Sequence, residues 1–372
     1  MRLSWVELRR FWSRQLVRAV VIGVIAAIAV AGVVTFVTHS PEGPSAATVE
    51  AQVDQQLAQC RQYSGDEWRG WDALGRDPEY QGGAGEYFAQ FGSAEEFADE
   101  QCQPEYYGGY VGDDRYCLVG LWSEDVSYRQ GCPDSEYAQA FSEEPHEVVI
   151  GGERLRTQEP GQFGLLPATS VAMLAVAIVV AASFVGGEYR AGTIETSLLW
   201  EPRRWRVLGA KYTAAALSLF AIQIGLLVLV VGAMLPAAVW RGSTAGADGE
   251  FWRGVALTIL RGGLAAALLA LLAISVVVVT KHTAAGIAVL LGYAAISPAL
   301  VNTVLKGLRP YDISENLLAF VRGGEVARWV ENGFSSDYVV SHGAAIAMVY
   351  VAGYAAVAVV VAGAVFARRD VD

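Results

Sequence analysis

Residues 19–38 read AVVIGVIAAIAVAGVVTFVT, twenty residues without a single charge. A helix of that length rises about 30 Å, the thickness of the hydrocarbon core of a bilayer. Its apolar residues occupy every face, whereas a helix on a soluble core carries one apolar stripe. A helix satisfies all its backbone hydrogen bonds within its own segment, as lipid demands. This stretch therefore sets the class: an all-α protein that crosses a membrane.

Five further stretches meet the same criterion, at 163–187, 212–240, 255–280, 283–301 and 343–367. Arg261 is the one charge inside a predicted span, and it lies close enough to the end of the fourth to snorkel toward the interface. The composition agrees with six spans. Of the 372 residues, 53% are hydrophobic and 17% charged, against about 25% charged in soluble domains. The same figures exclude a disordered chain. A net charge of −11 has the wrong sign for a nucleic-acid partner.

Lysine and arginine mark the side on which the short loops lie. Arg2, Arg9, Arg10, Arg14 and Arg18 precede the first span. Arg190, Arg203, Arg204, Arg206 and Lys211 follow the second, Lys281 separates the fourth and fifth, and Arg368-Arg369 follow the sixth. Alternating topology puts all of these on one side, predicted to be the cytoplasm, so both termini are expected inside a multi-pass plasma-membrane protein. The opposite side is more thinly basic, with Arg241, Arg253, Lys306 and Arg309. The first span exceeds the apolar run of about 7–15 residues of a secretory signal and is followed by five more, which predicts an uncleaved signal-anchor. Within residues 1–18, Trp5, Leu8, Trp12 and Leu16 recur at spacings of three and four, with Arg10 and Arg14 opposite. That pattern predicts an amphipathic helix lying in the lipid interface.

Residues 39–162 hold 25 acidic residues, are too long for a loop and contain no extended apolar run. They are expected to form a folded extracytoplasmic domain. All four cysteines, Cys60, Cys102, Cys117 and Cys132, fall in it. An even number confined to the outward segment predicts disulfides. Three connectivities are open, and nearest-neighbour closure, Cys60 to Cys102 and Cys117 to Cys132, is the simplest. Zinc is the rival, but no C-x-x-C spacing occurs and only His146 lies nearby. Helices are expected at 49–62 and 86–102, irregular structure around 106–110, and a solvated acidic surface rather than a Ca²⁺ loop at Asp113-Asp114.

Catalytic signatures are missing. None of Lys211, Lys281 and Lys306 follows glycine, so no P-loop exists, and neither H-E-x-x-H nor G-x-S-x-G occurs. The spans carry no carboxylate of the kind that couples transport to protons or sodium. No residue is assigned a catalytic or metal-binding role, and no cofactor is expected in this chain.

The segment at 186–211 reads GGEYRAGTIETSLLWEPRRWRVLGAK. Gly186 and Gly187 are expected to loosen the exit from the second span. Thr193 reads as an N-cap with Glu195 in the first turn, and Pro202 ends the helix. Two turns cannot persist alone and must be ordered by packing. Ile194 and Leu198, four apart, form an apolar face that suits a partner's groove or, alternatively, the lipid interface.

The block made by Gly186, Glu188, Tyr189, Arg190, Gly192, Thr193 and Ile194, followed by Leu198, Leu199, Pro202, Arg203, Arg204, Ala210 and Lys211, resembles the cytoplasmic loop of permease subunits in type-2 ABC exporters, particularly actinobacterial ones. The resemblance implies that 188–211 carries the coupling helix that docks on a cytosolic ATPase, with Glu188, Tyr189, Arg190, Gly192, Thr193, Ile194, Leu198, Leu199, Pro202, Arg203 and Arg204 as the coupling residues. It also implies an N-terminal elbow helix (1–18), short re-entrant helices within 302–342, and a cytoplasmic tail (368–372). A second permease chain, identical or related, would complete the path, and ATP and Mg²⁺ would bind in the partner. The expected activity is ATP-driven export of an unidentified amphipathic or hydrophobic substrate. Two other readings of the chain are a non-transporting sensor with a ligand-binding outward domain and an intramembrane enzyme.

Overall fold

The structure, a computed structural model, describes residues 2–39, 46–75, 93–102, 115–121, 132, 147–150, 153–156, 164–201, 203–332 and 335–368. In chain order its helices are α1 (Arg2–Ser13), α2 (Gln15–Thr38), α3 (Ala46–Gly75), α4 (Ala94–Gln101), α5 (Leu165–Arg190), α6 (Thr193–Trp200), α7 (Arg204–Arg241), α8 (Gly249–Thr280), α9 (Thr283–Thr303), α10 (Ile313–Arg322) and α11 (Ala344–Arg368). Short strands are β1 (Tyr116–Cys117), β2 (Glu147–Ile150), β3 (Glu153–Arg156), β4 (Gly242–Ser243), β5 (Glu325–Asn332) and β6 (Ser335–Gly343). Six helices among the described residues, α2, α5, α7, α8, α9 and α11, are long and apolar enough to cross a membrane. The chain divides into two compact units.

The larger unit comprises Met1–Val34, Pro145–Met234 and Asp248–Asp372. Its centre is α8, which packs along α5 and α11. Small residues bring the helices close, as is usual where lipid offers no hydrophobic drive for association. A side chain at Gly262 would meet Ser170 and Leu227, and one at Gly263 would meet Ile224 and Phe220. Ala181, Ala182, Ala270, Ala273, Ile274 and Val277 fill the space between them. Asp248 caps α8 by accepting from the Phe251 amide at 2.9 Å, and Lys281, in the left-handed region at φ 60°, ends it. The Arg261 guanidinium lies against Gly323 at the end of α10.

Between α9 and α11 the sequence led us to expect short helices. A 3₁₀ turn (Lys306–Tyr311) and α10 follow that expectation, with Asp312 capping α10 and Gly323 ending it at φ 77°. The second half is instead an antiparallel hairpin, β5 with β6, paired from Glu325 opposite Gly343 to Asn332 opposite Ser335, with a one-residue register shift between Val326 and Ala327. The cause is local. Val326, Trp329, Val330, Tyr338, Val339 and Val340 are β-formers on either side of Gly333, a residue type that favours turns.

The smaller unit comprises Thr35–Glu144 and Leu235–Ala247. Here α3 runs well beyond the helix expected at 49–62, and of the helix expected at 86–102 the described part is Ala94–Gln101. Cys60 is bonded to Cys102 and Cys117 to Cys132, which leaves no free thiol in the chain. Strand β1 pairs in parallel with β4, Tyr116 opposite Gly242, and any side chain at Gly242 would strike the Tyr116 backbone. The buried turn Leu118–Leu121 follows. The segments at 106–110 and 113–114, and His146, lie outside the described residues.

Candidate functional site

The stretch at 186–211 is built on the ends of α5 and α7. Helix α5 continues through Gly186 and Gly187 to Arg190, so these glycines do not loosen the exit. They are small for a different reason. Any side chain at Gly186 would strike Thr283, and one at Gly187 would strike the Arg14 guanidinium. The Ala191 amide donates to the Gly187 carbonyl at 3.1 Å, and Gly192, at φ 65°, turns the chain in the left-handed region that glycine enters without strain.

Helix α6 then occupies eight residues, about two turns. Thr193 is its first residue, and its hydroxyl donates back to the Glu188 carbonyl at 3.4 Å, which ties α6 to the end of α5. Ile194 corrects the sequence reading. It is 6% exposed and belongs to the apolar cluster of Phe11, Phe184 and Leu208, so it roots the helix and does not project from it. The side chains that do project are Leu199 and Trp200, 85% and 88% exposed. The side chain of Leu198, and Pro202, lie outside the described residues. Tyr189 packs on the apolar cluster, while Arg190 and Arg203 are exposed.

Beyond α6, Arg206 pairs with Glu201 at 3.0 Å. Arg204 donates to the carbonyls of Phe366 and Ala367 at 3.2 and 3.3 Å, the free carbonyls at the end of α11. An arginine there satisfies acceptors that the helix cannot, and it meets the negative end of the helix dipole.

Beneath α6 lies a feature that the sequence reading missed. Lys211 is 2% exposed, and its Nζ stands 2.5 Å from a Glu188 carboxylate oxygen and 3.1 Å from one of Glu7. Arg14 reaches the other Glu188 oxygen at 3.1 Å, and Arg10 the other Glu7 oxygen at 3.0 Å. The Phe184 ring lies 5.2 Å from the Arg14 guanidinium and 5.8 Å from the Lys211 ammonium. Helix α1 enters this cluster by the face that carries Glu7 and Phe11, both buried, and leaves Trp5 and Trp12 exposed. The signal was present in the sequence: Glu7 is the one acidic residue before the first span, and Lys211 one of three lysines in the chain.

The profile of a protein family described as ABC-2 family transporter protein matches residues 46–371, nearly the whole chain. The chain belongs to the ABC-2 transporter family. Searches of curated proteins and of solved structures return no match. Membership makes the chain a permease component of an ABC transporter, a transport subunit embedded in the membrane whose partner is an ATPase subunit.

Proposed function

We propose that this permease belongs to an ATP-driven exporter of the plasma membrane, with both termini cytoplasmic and α6 as the helix that docks on the ATPase. The carrying observation is the contrast within α6, which Ile194 anchors in the core while Leu199 and Trp200 stand almost fully in the open. A helix of two turns rooted in this way presents its tip rigidly, as helix-in-groove recognition requires. Glu188 and Arg190 set the exit of α5, and Gly192 and Thr193 the turn. Arg203 and Arg204 hold the return of the chain into α7. ATP and Mg²⁺ act in the partner. Closure of the ATPases displaces α6, and the spans of two paired permease chains, identical or related, switch between inward-open and outward-open as near-rigid bodies. The spans, apolar along their middle, suit an amphipathic or hydrophobic substrate.

The test is the pair Leu199→Asp and Trp200→Asp in one variant. Burying each side chain in a groove contributes about 1.5–3 kcal/mol, and about 1.4 kcal/mol is one decade of affinity. We expect ATPase capture to weaken well over tenfold, while the permease inserts and folds normally. Unchanged capture with unchanged ATPase turnover would remove α6 from the coupling role, and loss of nothing but loop–membrane association would place its tip in the lipid interface.

A further inference from the structure

Of the five charges under α6, Glu7 and Glu188 are buried, while their partners Arg10 and Arg14 keep 52% and 30% of their side chains exposed. The ammonium is a fifth charge, buried to 2% exposure, and removing a charge from water is costly unless its geometry repays the loss. What it adds is connection. Glu7 lies on α1, Glu188 on α5 and Lys211 on α7, and the ammonium touches both carboxylates. Arg14, at the break between α1 and α2, joins α1 to α5 but not to α7.

Helix α6 hangs between α5 and α7, so a push on α6 reaches two helix ends joined to it by separate short connections. We propose that Lys211 is a positioning residue that clamps α1, α5 and α7 into one moving unit, so that displacement of α6 is shared by both spans and carried into the surface helix α1. This rests on the reading of α6 as the ATPase-docking helix, but the clamp itself is a property of the permease alone. Dispersal of the unit requires two carboxylates to leave an ammonium where water is scarce, and such contacts are far stronger there than at a surface. Helix α1 is then more than a float: its exposed Trp5 and Trp12 lie in the interface, and its buried Glu7 ties that anchor to the transport machinery.

The experiment uses the full-length permease in lipid vesicles, alone and with its ATPase. Because all native cysteines are disulfide-bonded, thiols introduced by Arg9→Cys on α1 and Thr213→Cys on α7, both exposed positions, accept spin labels selectively. For the otherwise unaltered protein we expect one narrow label-to-label distance, the same without nucleotide and after trapping with ATP and vanadate. Lys211→Met should lose that single narrow distance even without ATPase, and Lys211→Arg, which can bridge both acids, should restore it. Glu7→Gln provides a milder second variant, which should broaden the same distance while Lys211 keeps Glu188. A narrow distance in both Lys211→Met and Glu7→Gln, with or without a lower melting temperature, would reduce the lysine to a stabilising ion pair and overturn the proposal. A distance that changes on trapping in the unaltered protein would overturn it as well. Failure of α6 to dock appears separately, as ATPase capture that is insensitive to Leu199 and Trp200, and leaves the measurement on the permease alone decisive.

Discussion

The disulfide unit and the base of α6 hold their helices together by opposite means. In the disulfide unit, α3 and α4 are joined by the Cys60–Cys102 bond, with Phe97 and Ala98 buried beside it. An ion pair joins the same helices, Arg61 to Asp99 at 3.2 Å, but both side chains are more than half exposed. Under α6 there is no covalent link, and Lys211, Glu188 and Glu7 are all nearly inaccessible. Water explains the difference. Where it is abundant it screens an ion pair, which then contributes about 0–1 kcal/mol, and a small acidic unit needs a cross-link. Where lipid and apolar side chains exclude it, a buried charge must be matched by another, and the match becomes a structural joint.

The largest effect should come from breaking that joint on one side. Glu188→Ala removes the carboxylate that Arg14 holds and leaves Lys211 sharing Glu7 with Arg10, and loss of one partner of a buried ion pair costs about 3–5 kcal/mol. Unfolding of the purified permease in detergent should shift accordingly, while the disulfide unit resists protease as before. Opening the covalent link is next. Cys60→Ser with Cys102→Ser should destabilise the disulfide unit by about 2–4 kcal/mol. Faster proteolysis of α3 and α4 is the expected readout, with ATPase capture intact.

A smaller effect separates the two regions by pH. Outside the spans, the Asn316 amide donates to the carbonyls of Pro310 and Asp312 at 2.9 and 2.8 Å. Its oxygen is left to accept from His342 Nε2 at 2.7 Å. Burial lowers the His342 pKa below its ordinary 6.5. The unfolded chain therefore takes up the proton at higher pH than the folded one. The stability that depends on neutral His342 is full above 6.5 and is lost as the pH falls through the lowered value. Acidification should make the β5–β6 hairpin more accessible to protease, and His342→Gln should flatten that response. The smallest effect belongs to the exposed pair: Asp99→Asn should change stability by no more than about 1 kcal/mol, and a larger loss in a melting experiment would dissolve the contrast between exposed and buried charges.

Particular residues show how far the sequence could be read. The six spans follow from runs such as 19–38, because lipid leaves a chain no other way to satisfy its backbone. The position of α6 follows from Gly192 and the residues after it, since a left-handed turn and a short apolar stretch are local properties. The orientation of Ile194 does not. Ile194 and Leu199 are equally apolar, and only the apolar pocket formed with Phe11, Phe184 and Leu208 decides which is buried. The β5–β6 hairpin was legible around Gly333 but was obscured by an expectation of helices.

What the sequence by itself determined is therefore the membrane class, the spans, the acidic cysteine-bearing unit and the position of the loop between α5 and α7. These depend on composition and on neighbours within a few positions, which the chain cannot alter by folding. Only the tertiary structure decided that Glu7 and Lys211, 204 positions apart, meet at one point, that α6 is rooted by Ile194 and presents Leu199 and Trp200, and that Gly186 and Gly187 admit neighbours in place of loosening a helix. The physical reason is common to all three. Burial of a charge or a side chain is set by what other helices bring to it, and no local pattern records which helix that will be.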